Sequence, residues 1–196
     1  MIGVFSLLLV NGVTLFRNLI FVLFSKEVKK LMTLEVRKLK EEDISQVLSL
    51  YNEFLEDQYS KNKYAVGGYG FKKSSVYYEK VIRSDRDEIF VGDDCGEVVG
   101  FVAISVVSPN FFSEFGSHGY LYDGFVKEEY RTSKLSFRLF DACEKWAKEK
   151  NCEYITTYAY AFNRRVQICF QSQKMEPYKI TYIKKLSEGK SRDGKM

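Results

Sequence analysis

The sequence predicts a mixed α/β domain built on a largely antiparallel sheet, and three observations predict it. Apolar residues alternate in short segments and recur at helical spacing in longer ones, in the order β α α β β β α β α β. The 196 residues are 45% hydrophobic and include only 2 prolines, which is ordinary for a globular chain. A chain of this length suits one domain that buries roughly 70% of its unfolded surface.

The first half of the domain is predicted to contain one strand, two helices and a hairpin. Residues 41–43 are acidic and precede the first helix, where negative charge complements the helix dipole. Residues 92–96 are turn formers between two apolar segments, which is typical of a β-hairpin. In chain order the predicted elements are strand 33–39, a helix from about 44 to 56, helix 75–83, strand 88–91 and strand 97–107.

The second half alternates strands and helices. Its clearest element is a helix at 133–150, because apolar residues line one face of it. Asn163 is expected to cap the helix that follows. The predicted elements are strand 120–126, helix 133–150, strand 153–159, helix 163–173 and strand 178–186. Segments 60–70 and 110–119 are expected to be loops because they are rich in glycine and aromatic residues.

Charge and cysteine content exclude several classes of function. Residues 1–31 carry +3 of the net charge of +4, so the remaining chain lacks the basic surface of a nucleic-acid-binding protein. The four cysteines form no C-x-x-C pair and His118 is the single histidine, so no metal site is expected. This cysteine usage predicts a reducing, cytoplasmic location.

The first 31 residues form a hydrophobic N-terminal segment that has two interpretations. Residues 2–24 are long and apolar enough to span a bilayer, with lysines after them that would keep the domain on the cytoplasmic side. Arg17 interrupts this segment, which is costly in a membrane, and the sequence from Met32 reads like a natural start. We favour a start at Met32, so contact with a membrane is expected only if residues 2–24 are retained. The domain is assigned to residues 32–186, followed by a flexible tail at 187–196.

A candidate anion site lies where the strand at 120–126 meets the helix at 133–150. The first amides of a helix have no partners within the helix, and with the dipole they favour a phosphate. Arg131, Lys134 and Arg138 add positive charge there, and Arg131 and Lys134 are placed to reach a diphosphate. The alternative is an ordinary solvated helix end.

These residues resemble the GNAT N-acetyltransferase family. The family pattern V-x-P-x-Y-R/Q-x-x-G-x-G/A is matched at Val126, Tyr130 and Arg131. A second family pattern, N-x-x-A-x-x-x-Y-x-x-x-G-F, is matched at Asn163, with Phe170 in place of the tyrosine. The order of elements agrees from residue 33 to residue 186. The resemblance implies a GNAT-like acyl-CoA N-acyltransferase fold, with parallel strands four and five splayed apart to admit the cofactor.

The sequence departs from the family pattern at several positions. Lys134 and Ser136 replace the two loop glycines, Glu128 replaces the proline, and Lys174 and Met175 replace the closing Gly-Phe. We expect Lys134 and Ser136 to adopt right-handed helical dihedrals that preserve the amide cradle. Their side chains would then point away, or Lys134 would join the phosphate contacts. The glycine-poor loop is similar to that of acetyltransferase-like proteins of phage genomes.

The resemblance implies an enzyme that transfers an acetyl group from acetyl-CoA, as cosubstrate, to a primary amine of a small molecule or peptide. The implied cofactor-binding residues are Phe125, Val126, Arg131, Thr132, Ser133, Lys134, Leu135, Ser136, Asn163 and Phe170. The alternative is a degenerate member that keeps the fold as a binding or regulatory module. A homodimer is compatible with either function, and the sequence does not determine the oligomeric state.

The acceptor amine must lose a proton, and Asp123 is the expected general base because it lies on the strand beside the thioester site. A structural carboxylate at a strand edge is the alternative for Asp123, and His118 is a second candidate base. Phe170 has no proton to give the departing thiolate, so Tyr158, Tyr160 or solvent would supply it. Backbone groups around Phe125 and Val126 would polarise the thioester carbonyl.

Two aromatic loops are expected to wall the acceptor pocket, unless their rings simply cap the core. The rings concerned are those of Tyr64, Tyr69, Phe111, Phe112 and Phe115.

Overall fold

The computed structural model describes residues 34–62, 73–109 and 115–184. Short 3-10 helices at Glu41–Asp43 and Glu128–Tyr130 lead into longer elements. The strands are β1 (Leu34–Lys38), β2 (Asp87–Asp94), β3 (Glu97–Val107), β4 (His118–Val126) and β5 (Tyr154–Thr156). The helices are α1 (Ile44–Lys61), α2 (Ser75–Ile82), α3 (Leu135–Glu149) and α4 (Arg164–Ser172).

The five strands form one sheet in the order β1-β2-β3-β4-β5. All neighbouring strands are antiparallel except β4 and β5, which are parallel. The β2–β3 hairpin closes through Cys95 and Gly96, both with positive φ, as a tight two-residue turn requires. The predicted fold class, including parallel fourth and fifth strands, is confirmed.

Helices cover both faces of the sheet, so the domain has two apolar layers. One layer packs α1 and α2 against the sheet, and the other packs α3 against the opposite face. The start of α3 lies very close to the sheet because Leu135, fully buried, sits over Gly92. A Cβ atom at Gly92 would lie 2.7 Å from the Leu135 side chain, so only glycine allows this approach.

The last predicted strand, at 178–186, is absent as far as the structure describes it. Residues 178–184 form no ladder, and the side chains of Tyr178, Ile180 and Tyr182 are 67%, 71% and 87% exposed. Alternating hydrophobicity is a local property, whereas a strand also needs a partner for its backbone groups. The neighbouring β5 offers a ladder of only three residues.

Other predicted boundaries shift for local reasons. The first helix runs on to Lys61, past the predicted end near Glu56, because no breaker interrupts it. Strand β5 ends at Thr156 instead of residue 159, since Thr157 donates its side-chain Oγ1 to the Leu121 carbonyl at 3.0 Å. Helix α3 begins at Leu135 rather than at 133.

Several sequence-based expectations fall outside the described residues. They concern the hydrophobic segment at 1–31, the start at Met32, the tail at 187–196 and the aromatic residues Tyr64, Tyr69, Phe111 and Phe112. Within the three described ranges, no helix combines the length and the apolar character that crossing a bilayer requires.

Candidate active site

Strands β4 and β5 separate after three residue pairs, the last of which joins Tyr120 to Thr156. Strand β4 continues to Val126 without a strand on that side. The Lys127 amide donates to the Val99 carbonyl on β3. Because successive residues of a strand direct their backbone groups to opposite sides, the backbone groups of Gly124 and Val126 point away from β3, into the gap. The gap thus exposes main-chain donors beside two of the predicted cofactor residues, Phe125 and Val126.

A β-bulge controls which face of β4 the site residues occupy. Ala103 pairs with Asp123 and Ile104 pairs with Leu121, which leaves Tyr122 as the extra residue. A bulge of this kind turns two successive side chains toward the same face. Tyr122 and Asp123 therefore both face the layer formed by α1 and α2, where each finds a partner.

The partner of Asp123 is Lys73, which immediately precedes the N-cap of α2. The Lys73 ammonium forms an ion pair with the Asp123 carboxylate, and their side chains are only 12% and 14% exposed. The same Nζ lies 4.8, 4.4 and 4.9 Å from the ring centroids of Tyr51, Tyr77 and Tyr122. We call this arrangement of three rings and one carboxylate the tyrosine chamber.

Burial dominates the electrostatics of the tyrosine chamber. Desolvation raises the pKa of Asp123 above its ordinary value, and the charge and hydrogen bond of Lys73 offset this only in part. Burial, followed by the charge of Asp123, raises the pKa of Tyr51 to about 12. Burial and a 2.9 Å hydrogen bond from Tyr77 also raise the pKa of Tyr122. Tyr51 and Tyr122 therefore remain neutral near pH 7, and Asp123 is a carboxylate whose proton affinity is increased, as a general base requires.

The predicted anion site at the start of α3 retains unpaired amides. No described residue accepts a hydrogen bond from the amides of Thr132, Lys134, Leu135 or Ser136. The Ser133 amide differs, since it donates to the Tyr130 carbonyl at 3.1 Å. Four amides at a helix N-terminus suit the oxygens of a diphosphate.

Lys134 does not have the expected right-handed helical dihedrals. Its φ of 62° and ψ of 10° place it in the left-handed region, as the residue that caps α3. This is the position where the family pattern has glycine, and glycine is the residue that reaches positive φ without cost. Lys134 thus adopts a conformation that glycine reaches more easily.

The two arginines predicted near the anion are engaged elsewhere. Arg131 donates its Nε to the Val126 carbonyl at 2.9 Å and lies over the Phe125 ring, so it fixes the end of β4. Arg138 donates to the Leu34 carbonyl at 2.7 Å, on the side of β1. Of the three predicted cations, Lys134 is the one whose side chain makes no hydrogen bond or ion pair within the described residues.

Helix α4 begins as predicted. The Asn163 side chain accepts a hydrogen bond from the Val166 amide at 3.3 Å, so Asn163 is the N-cap. Arg165 donates to the Arg131 carbonyl at 2.9 Å, which holds α4 beside the start of α3. Phe170 is half-buried on this helix and carries no proton donor.

Of the two tyrosines proposed to replace a family tyrosine, Tyr158 is electrostatically linked to the tyrosine chamber. Burial is the main cause that raises its pKa, with smaller contributions from Tyr160, Tyr120 and Asp123. Tyr160 stacks on Phe162 with ring centroids 5.2 Å apart, further along the same segment. Tyr158 and Tyr160 are both partly exposed on the segment that follows β5, and their rings contact each other with centroids 5.8 Å apart.

His118 and Phe115 do not join the site. His118 lies at the start of β4, where β4 and β5 are still paired, and its Nδ1 is 3.1 Å from the Gly116 carbonyl. The Phe115 ring contacts the rings of His118, Tyr154 and Tyr178 at that same end. Five positions of β4 separate His118 from Asp123, so the structure favours Asp123 as the base.

An open cleft of about 620 Å³ lies between the C-terminal half of α1 and the end of β4. It adjoins the site through Phe125, whose ring contacts Phe54 of α1 at 6.4 Å between centroids. Carboxylates dominate its lining, and Lys127 is one of two cations there but is paired with Glu97 at 2.6 Å. The lining residues are Glu53, Glu56, Asp57, Ser60, Phe125, Lys127, Glu128, Glu129 and Arg131.

The role of Asp123 as the general base stays a prediction, and the sequence did not predict the residues that surround it. Lys73 and Tyr77 are four residues apart, a spacing that places them side by side at a helix start. The acidic residues Glu53, Glu56 and Asp57 show the same helical spacing. Both spacings can be read from the sequence, but which strand each group of side chains faces depends on tertiary packing. In the described ranges, no three His, Cys, Asp or Glu side chains are grouped as metal ligands.

Comparison with known proteins bears on this geometry. Residues 44–174, more than half of the chain, match the model of the acetyltransferase (GNAT) family. A curated relative from Archaeoglobus fulgidus, named as an uncharacterized N-acetyltransferase, is 26% identical over 147 residues. That alignment covers 72% of this chain and 92% of the relative.

Solved structures share the fold. The tetramutant of the BH1408 protein from Bacillus halodurans has a TM-score of 0.69 at 17% identity, covering 78% of this chain and 99% of its own. The aminoglycoside N-acetyltransferase AAC(6')-Iy, in complex with the bisubstrate analog CoA-S-monomethyl-acetylneamine, has a TM-score of 0.62 at 15% identity. That comparison covers 78% of this chain and 98% of the enzyme.

Proposed function

The chain belongs to the acetyltransferase (GNAT) family, and from that premise we propose that it transfers an acetyl group from acetyl-CoA to a primary amine. One observation carries the proposal. Asp123 is a largely buried carboxylate with a raised pKa, and it lies on β4, the strand that borders the open gap. It forms an ion pair with the Lys73 ammonium. A base beside an amine is the pairing that this reaction needs.

The residues present fit acetyl-CoA. Four amides without a partner among the described residues, those of Thr132, Lys134, Leu135 and Ser136, suit its diphosphate, and the exposed Lys134 side chain adds a positive charge there. The separated edge of β4 offers backbone groups of Gly124 and Val126 to the pantetheine amides. When bound, acetyl-CoA supplies an acyl group activated as a thioester.

The protein's own groups perform the proton transfers. Asp123 takes a proton from the acceptor ammonium, directly or through one water, so that the nitrogen lone pair can attack. The Val126 amide, aimed into the gap, is placed to stabilise negative charge that develops on the carbonyl oxygen. Tyr158, Tyr160 or solvent gives a proton to the departing thiolate, in place of the tyrosine that Phe170 replaces, and the attacking nitrogen loses its second proton to restore that donor.

The acidic cleft favours an acceptor that carries several positive charges. Five carboxylates line it against Lys127 and Arg131, and Lys127 is already paired with Glu97. An extended amine would place one ammonium near Asp123 while its other charges lie in this cleft. The structural neighbour AAC(6')-Iy, named for aminoglycosides, is consistent with an acceptor of this class.

Calorimetry and turnover test this proposal together. We expect acetyl-CoA to bind, and we expect thiol release on addition of an amine. In an amine panel, a polyamine or aminoglycoside should show a lower KM than a neutral monoamine, and added salt should narrow the difference because it screens the cleft. Absence of acetyl-CoA binding at millimolar concentration would contradict the proposal.

Binding without turnover would instead support a degenerate binding module. Two observations favour keeping that second candidate, namely the lysine at positive φ in the phosphate loop and the phenylalanine at position 170. Direct comparison of acetyl-CoA affinity with thiol release separates the two functions.

A further inference from the structure

Lys73 occupies an unusual environment for a lysine. Its side chain is 12% exposed, although lysine is seldom buried unless a partner compensates its charge. That partner is Asp123, fifty residues away in the chain, so the contact depends on the tertiary fold rather than on local spacing.

The tyrosine chamber surrounds the Lys73 ammonium on several sides. Three ring centroids lie within 4.9 Å of Nζ, as cation–π interactions require. The Tyr77 hydroxyl also accepts a hydrogen bond from Nζ at 3.4 Å and donates one to the Tyr122 hydroxyl at 2.9 Å. The amine is thus held in a fixed place by rings, hydroxyl and carboxylate.

We propose that Lys73 is an acetyl acceptor of the protein's own reaction. This inference rests on the proposed function, because the acyl donor and the base are those of that function. Lys73 Nζ already contacts the Asp123 carboxylate, and Asp123 lies on the strand whose open edge would hold the thioester. The lysine therefore already lies beside the proposed base, as an amine substrate must.

The chemistry balances with groups already named. Asp123 takes one proton from the Lys73 ammonium, and the nitrogen attacks the thioester carbonyl carbon. A C–N bond forms and the C–S bond breaks. The thiolate leaves as a thiol after taking a proton from Tyr158 or water, and that donor is restored by the second proton that the attacking nitrogen loses as the amide forms. The products are coenzyme A and an Nζ-acetyl-lysine at position 73.

Acetylation would change the tyrosine chamber. An amide has no positive charge, so acetylated Lys73 cannot keep the ion pair with Asp123 or the cation–π contacts. Modification of this one side chain would therefore leave Asp123 without its counter-charge and the chamber without its ammonium.

The test is incubation of the full-length protein with acetyl-CoA in the absence of added amine, followed by intact-mass measurement and peptide mapping. We expect one acetyl group on the peptide that contains Lys73, forming at a rate that does not change with protein concentration. Lys80, an exposed lysine on α2, serves as the internal reference for uncatalysed acetylation.

Variants separate the site from the surface. K73R keeps a cation in the chamber but should abolish the rapid adduct, whereas K80R should leave it unchanged. D123N should slow acetylation of Lys73 to the rate seen at Lys80. Calorimetry with acetyl-CoA on each variant shows that the fold and the cofactor site persist.

The outcomes distinguish this inference from the proposed function. If added amines are acetylated but Lys73 reacts no faster than Lys80, self-acetylation is wrong and the function stands. If acetyl-CoA neither binds nor acetylates any amine, both are overturned. Rapid acetylation of Lys73 that survives in D123N would also contradict the inference, because the base would have no part in it.

Discussion

Asp43 and Asp123 are both aspartates removed from solvent and paired with a cation, yet their pKa values shift in opposite directions. Asp43 is 2% exposed and receives two hydrogen bonds from the Arg37 guanidinium, at 2.6 and 2.9 Å, and one from the Lys40 amide at 2.9 Å. These donors lower its pKa despite burial. Asp123 receives an ammonium in aromatic surroundings, and burial raises its pKa.

The difference shows what separates a structural carboxylate from a reactive one in this fold. Asp43, at the start of α1, pairs with Arg37 of β1, and Arg37 also pairs with Asp93 of β2 at 2.7 Å. The Arg37 guanidinium therefore donates to both carboxylates. Asp123 has one cationic partner, the Lys73 ammonium, which is itself surrounded by three tyrosine rings. Several hydrogen-bond donors stabilise the charged form of Asp43. Asp123 has fewer donors, so its affinity for a proton is higher.

Replacing Asp123 with asparagine should have the largest effect. The D123N variant removes the proposed base while keeping its shape, so we expect kcat to fall about 10²- to 10⁴-fold. Steady-state thiol release measures this, and calorimetry should show that acetyl-CoA affinity is kept. Glu149→Gln, which makes the same replacement of a carboxylate by an amide at an exposed position on α3, is the matched control and should leave kcat unchanged.

Replacing Asp43 with asparagine should reverse this pattern. The substitution leaves Arg37 in a largely buried position without its main partner, so the free energy of unfolding should fall by about 3 kcal/mol. Urea denaturation measures the loss. The kcat of the folded fraction should stay near the wild-type value, and a large loss of kcat with intact stability would mean that the two aspartates have been assigned the wrong roles.

Acidification should separate activity from stability. A carboxyl with a lowered pKa stabilises the fold fully above its unfolded pKa, and this contribution is lost as pH falls through the lowered value. Asp123 has a raised pKa, so it gains its proton, and the enzyme loses its base, at a higher pH than an ordinary aspartate would.

On lowering the pH, kcat should therefore decline before the unfolding free energy does. Parallel pH titrations of thiol release and of urea midpoints test the order of the two curves. Coincident curves would show that loss of activity is merely unfolding.

Replacing Tyr78 should have the smallest effect on stability. It tests whether every buried polar group on the α1 and α2 side of the sheet has a hydrogen-bond partner. Its hydroxyl is buried and has no hydrogen-bond partner among the described residues, in contrast to the fully paired Asp43. Tyr78→Phe removes this unpaired group, so the free energy of unfolding should rise by up to about 1 kcal/mol. A clear loss of stability in urea would show that the hydroxyl has a partner after all.

The fold was largely predictable because local patterns and their order agree with the tertiary structure. The hairpin at Cys95 and Gly96 and the Asn163 cap follow from residues whose preferences are local, whereas the parallel fourth and fifth strands were expected from the family resemblance. The segment after Tyr178 was not predictable in this way, because strand formation depends on a partner that local alternation cannot report.

The candidate site was predictable only in part. Asp123 could be identified because a family resemblance placed it on a particular strand. The chamber around it required knowing that a bulge at Tyr122 turns two side chains to one face, and that α1 and α2 pack on that face. No spacing in the sequence connects Lys73 with a carboxylate fifty residues away.

The contact between Gly92 and Leu135 has a consequence for how the molecule tolerates change. The missing side chain of a residue inside β2 sets the height at which the amides of α3 stand above the sheet. A methyl group added at Gly92 would force the buried Leu135 side chain to move, so the amides proposed to bind the diphosphate depend on a residue inside β2. Substitution of a residue inside the sheet is therefore expected to weaken the proposed binding of coenzyme A, as substitution in the loop itself would.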